Sequence, residues 1–267
     1  MGHRAPGSPT FIIATPEPHM HHHIRPHHAP ARFIVAAALL AAIPTSVVAA
    51  SPSPSPVTAS GYRVHMGTRT VQVSGVAAKI ATARVDGPRA AVARRISALV
   101  NRTSHAGLER FRADYEPSSP LKGGYELTGR VVANATPVVS ILFDEYVYLG
   151  GAHPVLLFRS VVVDTRNGRR WSRAEIARRI RAAGRPGLML NAEIRRAVHR
   201  AAPLAPPADL ATLTAANVTL VPTRAGLGVD VNHCQMGCVL GPVRAKIPWS
   251  RLLAPGRRVP FAPWWNR

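Results

Sequence analysis

The sequence predicts an α+β fold: a mainly antiparallel sheet with helices packed on one face, two small subdomains of similar size, and a signal peptide in front. Three observations lead to it. Runs such as Tyr125 to Ala133 and Val139 to Val147 alternate in the period-two pattern of strands, and short turns join them. Between such runs, Val92, Ile96, Leu99 and Val100 repeat at the spacing of one buried helical face. A 46% apolar content over 267 residues supplies a core for a folded part of this size.

The N-terminus reads as an address. Arg25 and Arg32 precede an unbroken apolar run from Phe33 to Ile43, which Pro44, Thr45 and Ser46 end. Val48-Ala49-Ala50 places small residues where a signal peptidase cleaves. The run is about half of the ~20 residues that a spanning helix needs, so a cleaved leader is expected and no membrane span after it. The expected organisation is then a signal peptide with an extended n-region over 1–50 and a Ser/Pro linker over 51–61. A strand-helix-hairpin subdomain follows over 62–147, a second subdomain over 148–253 and a tail over 254–267.

Taken in order, Tyr62 to Val73 predicts a strand with a turn at Gly67, and Val76 to Val85 its partner. Asp86-Gly87-Pro88 opens the helix that carries Val92 and Ile96, with an extension or restart after Gly107. Gly123-Gly124 leads into the strand at Tyr125, and Asn134 to Pro137 turns it back. The returning strand, Val138 to Val147, is apolar on both faces and belongs centrally. Tyr148-Leu149-Gly150-Gly151-Ala152-His153-Pro154 then makes a tight turn, where adjacent glycines permit positive φ. Another strand, Val155 to Val163, closes at Asp164 to Gly168. Ser172 with Glu175 reads as a capping box for a helix through Ile176 and Ile180. Leu190, Ile194 and Val198 mark a further helix that Pro203, Pro206 and Pro207 stop. Short strands at Val218 to Val221, Leu227 to Val231 and Val243 to Trp249 end the folded part, and Ser250 to Leu253 gives one helical turn.

These pieces resemble the RsiV-like extracytoplasmic domain, shared by the RsiV anti-sigma factor and the N-terminal region of the PdaC peptidoglycan deacetylase. The residues that carry the resemblance are Tyr148-x-Gly150-Gly151-Ala152-His153-Pro154, Asp164-Thr165-x-x-Gly168 and Ile247-Pro248-Trp249-Ser250-x-Leu252. It implies a non-catalytic binding or sensor domain at a bacterial cell surface, secreted or wall-associated, with Tyr148, Gly150, Gly151 and His153 as the candidate binding residues. Lysozyme, the ligand of RsiV, is itself basic, and like charge argues against carrying that ligand over.

Charge defines the expected partners. Residues 1–50 hold Arg4, Arg25 and Arg32 against Glu17, so +19 of the formal +21 lies beyond them. All but three of the 34 basic residues are arginine, the exceptions being Lys79, Lys122 and Lys246. The densest run is Arg169 to Arg200. Such a field suits anionic polymers, phospholipid surfaces or nucleic acid, the alternative being that the arginine excess reflects GC-rich coding; the expected partner is an envelope protein or an anionic wall polymer. The basic residues are not interleaved with aromatics, so no specific nucleic acid is expected.

Glycine-rich phosphate loops, zinc-protease helices and nucleophile elbows are missing, and no catalytic residue, metal or cofactor is assigned. His153 with Asp144, Glu145 or Asp164 makes a hydrolase acting on the wall the alternative reading. A basic protein that merely coats anionic polymer is another. Cys234 and Cys238 are the two cysteines. In an exported protein the pair reads as a disulfide pinning a hairpin tip; a metal site from His233, Cys234 and Cys238 is the alternative.

Overall fold

A computed structural model describes residues 61–117, 122–237 and 240–256. The expected leader, nearly all of the linker, most of the tail, and Cys238 lie outside the described residues. Among the described residues no helix is long and apolar enough to cross a membrane.

The chain is α+β. Strands β1 (Arg63–Val73) and β2 (Val76–Asp86) form a hairpin through Ser74 and Gly75, whose φ values of 49° and 80° are those a two-residue hairpin turn needs. The expected turn at Gly67 does not form, and Gly67 pairs with Thr82 inside a continuous ladder. One isolated glycine does not reverse a strand when two consecutive positive-φ residues, Ser74 and Gly75, stand seven and eight positions further on. Helix α1 (Ala90–Asp114) then crosses over to β3 (Gly124–Ala135), which runs parallel to β2. β3, β4 (Val138–Tyr148) and β5 (Val155–Asp164) continue as an antiparallel meander. The result is a mixed five-stranded sheet in the order β1-β2-β3-β4-β5.

Beyond β5 lie helices α2 (Arg173–Ala183), α3 (Leu190–Ala201) and α4 (Pro207–Thr212), an antiparallel sheet of β6 (Thr219–Thr223), β7 (Gly226–Val231) and β8 (Val243–Ile247), and a last turn, α5 (Trp249–Leu252). Ser172 caps α2 by accepting from the Glu175 N–H at 3.1 Å. The Glu175 carboxylate does not return the bond; it takes Arg169 and Arg179 instead, so the capping box is half made. Pro207 starts α4 rather than ending a helix, because at the first helical position its missing N–H has no partner to lose.

Two cores result. In the first, Val92, Ile96, Val100 and Phe111 of α1 pack on Ile80, Leu127, Ile141 and Phe143. In the second, Ile176, Ile180, Ile194 and Val198 of α2 and α3 pack on Leu220, Leu227 and Trp249. Val138 and Val162 point into the second core while Val139, Val161 and Val163 point into the first. That is why β4 reads as apolar on both faces. β5 is the fifth strand of the first sheet, so a boundary drawn at Tyr148 cuts through that sheet. The outer edge of β5 is sealed by the second sheet: the Phe158 N–H donates to Asn232 Oδ1 (2.6 Å), the His233 N–H to the Leu156 carbonyl (3.1 Å), and Thr219 Oγ to the Phe158 carbonyl (3.0 Å).

α1 runs unbroken through Gly107. A Cβ there would overlap the Tyr125 hydroxyl and lie 2.7 Å from Glu145 Oε1. Gly107 therefore lets the helix approach the sheet, and its place inside a helix is a packing requirement. Ala would gain about 1 kcal/mol in helix propensity, but overpacking a buried contact costs roughly 1–3 kcal/mol. Gly107→Ala is expected to lower stability in denaturant unfolding. Gly151→Ala, whose Cβ would meet open space, is expected to leave it unchanged.

Candidate functional site

The turn Tyr148 to Pro154 joins β4 to β5 at an exposed tip. Gly150 has φ +89° and needs glycine; Gly151 is exposed with no such need. His153 is exposed. Its Nδ1 lies 3.2 Å from the Pro154 carbonyl, and its ring stacks on His233 with centroids 5.3 Å apart. His233 is brought there by the loop after β7, and both of its ring nitrogens are buried without a hydrogen-bond partner. Sequence reading did not find this histidine pair, because its members are far apart in the chain.

None of the three carboxylates considered as partners lies within ion-pair distance of His153. Asp144 takes Arg130 (2.7 Å) and Arg244. Arg244 also reaches Asp230 on β7 (3.0 Å) and lies over the Phe158 ring, so this cluster joins the two sheets. Burial pushes the Asp230 carboxyl above its usual range, with Arg244 opposing. Asp164 is gripped by Arg166 (2.6 Å). Glu145 accepts from the Tyr125 hydroxyl (2.9 Å) and from Arg159 Nε. Among the described residues the only histidine–carboxylate pair is His65 with Asp86 (3.4 Å) on the distant β1–β2 hairpin. No group of three or more metal-ligating side chains occurs among them either. Cys234 sits at φ +62° in the loop after β7, and the expected disulfide falls on Cys238, outside the described residues.

A well-formed concavity lies elsewhere. A cleft of about 490 Å³ opens between α1 and β5, within the usual range for small-molecule sites. Five arginines line it: Arg102 and Arg110 from α1, Arg159 from β5, Arg170 just beyond β5, and Arg173 at the start of α2. Arg102, Ala106 and Arg110 fall four residues apart, on one helical face. No acidic side chain lines the cleft among the described residues. Arg170 donates to the Ser160 carbonyl (3.0 Å) and Arg173 to the Val218 carbonyl (3.5 Å), which fixes both without neutralising either. Desolvation in the wall and the neighbouring Arg173 charge hold the Arg170 guanidinium below its usual pKa. Like charges crowded around a cavity that no carboxylate lines favour an anion between them. Ala106, Leu157 and Phe158 add an apolar portion.

The arginine-rich segment thus divides. Arg169, Arg178 and Arg179 gather on the buried Glu175, and Arg185 and Arg196 on the buried Glu193. Only Arg170 and Arg173 of that segment face the cleft. Arg159 on β5 and Arg102 and Arg110, whose positions on a helix face carried no local signal, complete it.

No protein-family model matches the sequence, and no curated protein does either. Six chains of solved structures align with this one, two of them as follows. One is a DUF3298 family protein from Pseudomonas aeruginosa PAO1, at 18% identity and a TM-score of 0.46, covering 77% of this chain and 96% of that one. The other is a DUF3298 family member from Bacteroides fragilis NCTC 9343, at 13% identity and 0.42, covering 72% and 93%. At these scores neither lends a residue or a role to this chain.

Burial alone would raise the Asp164 pKa, but hydrogen bonds from the Arg166 side chain and backbone hold it below the usual value. The stability it contributes is complete above the unfolded aspartate pKa of about 3.9 and is lost as pH falls through the lower native value. Asp164→Asn is expected to cost about 1 kcal/mol at pH 7, since Arg166 is largely exposed. The gap to wild type should close between about pH 5 and pH 2 in urea unfolding. A gap independent of pH would contradict the assignment.

Proposed function

We propose that this protein is a secreted, non-catalytic binding domain of the bacterial cell envelope that holds anionic groups of a wall polymer in the cleft between α1 and β5. The observation that carries the reading is five guanidinium groups, drawn from three separate parts of the chain, around one cavity that no carboxylate lines. Arginine suits phosphate and sulfate oxygens because its planar fork donates two parallel hydrogen bonds. The apolar portion of the cleft suits the sugar or polyol body between such groups. The leader-like N-terminus and the resemblance to RsiV-like domains support an extracytoplasmic setting. The resemblance had pointed to Tyr148, Gly150, Gly151 and His153; in this reading they form a turn, and the arginine cleft is the binding site.

A basic protein that coats polymer through its overall charge is the competing reading, supported by the +21 formal charge. The two separate on a charge-matched pair of variants. Arg170→Gln/Arg173→Gln is expected to weaken binding to a phosphodiester wall polymer by about tenfold or more, the loss of one or two charge-assisted hydrogen bonds. Arg69→Gln/Arg224→Gln removes the same charge from exposed sites outside the cleft and is expected to change little. Equal losses from both pairs would favour coating. The extracytoplasmic setting predicts that the protein isolated without reductant is lighter by two hydrogens than after reduction, from a Cys234–Cys238 bond.

A further inference from the structure

Behind the arginine wall of the cleft lies a carboxylate almost sealed from solvent. Glu145 is 1% exposed on the internal strand β4. The ionisable groups facing it come from each element packed around it: Tyr125 of β3, Arg159 of β5 and Arg110 of α1. Two of these, Arg159 and Arg110, also line the cleft. Arg159 binds Glu145 through Nε alone, and its terminal nitrogens have no acceptor among the described residues. One guanidinium therefore stands between the buried carboxylate and the space where an anion would sit.

Resting on the reading of the cleft as an anion site, we propose that anion binding there is coupled to uptake of a proton by Glu145, so that the ligand is held more tightly in mildly acidic surroundings than at neutral pH. An anion on the terminal nitrogens of Arg159 shares the cation that Glu145 contacts and places a second negative charge behind it. Glu145 cannot turn to water, since Gly107 and Tyr125 close over it. It responds by taking a proton from solvent onto a carboxylate oxygen, forming one O–H bond, while Arg159 keeps its charge for the ligand. Burial already pushes the Glu145 carboxyl above its usual range, with the Tyr125 hydroxyl and Arg110 pulling it back, so the added negative charge acts on a group poised to accept. By linkage, each unit by which the ligand raises the pKa of Glu145 is about a tenfold gain in affinity once Glu145 is protonated.

The test is calorimetric titration of the full chain with a sulfated disaccharide, whose sulfate esters stay ionised across the range, in buffers of differing ionisation enthalpy between pH 5 and pH 7.5. The expected result is net proton uptake on binding and an affinity that rises several-fold toward pH 5. Glu145→Gln is expected to bind at pH 7.5 as the wild type does at low pH and to lose the uptake. Should that variant fold poorly, Tyr125→Phe serves instead. Removing the hydroxyl that favours the ionised carboxylate should move the uptake to higher pH, a shift that a merely structural tyrosine would not produce. Binding with no proton uptake, or uptake unchanged in both variants, overturns the coupling and leaves the anion site standing. Absence of binding at every pH overturns the anion site itself, and the coupling with it.

Discussion

Glu145 is the constraint around which the first sheet and its helix are arranged. A carboxylate at the middle of an internal strand is costly to bury unless every neighbour supplies a donor or a positive charge. Tyr125 arrives across the β3–β4 ladder, Arg159 from β5, and Arg110 from above on α1. For the helix to close over this group it must come nearer than a methyl group allows, which is what Gly107 provides. The same approach sets the face of α1 that carries Arg102 and Arg110 opposite β5. The cleft is thus a consequence of how one buried charge is satisfied.

The high positive charge is handled by division of labour. Four buried carboxylates, Asp164, Glu175, Glu193 and Asp230, each bind one or more arginines. Arg179 holds Glu175 while lying over the Trp171 ring, and Arg244 holds Asp144 and Asp230 while covering Phe158. The Glu175 carboxyl stays below its usual pKa, because hydrogen bonds from Arg179 and Arg169 outweigh its burial. Such arginines serve the fold. In the cleft, Arg170 and Arg173 donate to backbone carbonyls, Arg110 faces Glu145, and Arg159 binds Glu145 through Nε, its outer nitrogens having no acceptor among the described residues. Proximity in sequence is a poor guide to which kind an arginine is: Arg169 and Arg170 are neighbours and belong to different kinds.

The glycine–histidine turn, which looks most like a site in one dimension, is in three the exposed connection between β4 and β5. It reverses β4 into β5 so that Phe143 and Arg159 stand side by side. Its histidine packs against His233, which reaches it through the loop that seals the β5 edge. The three carboxylates nearest to it in sequence all bind arginines.

The sequence by itself determined the fold class and the order of strands, turns and helices from Val76 onward, apart from α4, which starts at a proline read only as a stop. Alternation, helical periodicity and turn chemistry are local properties, written within about ten residues of where they act. It also marked β4 as internal, because both of its faces are apolar. Tertiary structure decided what local pattern does not encode. The β1 ladder overrode the glycine at 67, a close helix–sheet contact used the glycine at 107, and β5 joined the first sheet. The cleft required Arg102, Arg110, Arg159, Arg170 and Arg173 to converge from elements that are distant in the chain. An arginine on a helix face looks the same in sequence whether it meets water, a carboxylate or a cavity. Its role depends on charges and surfaces that only the folded packing brings near.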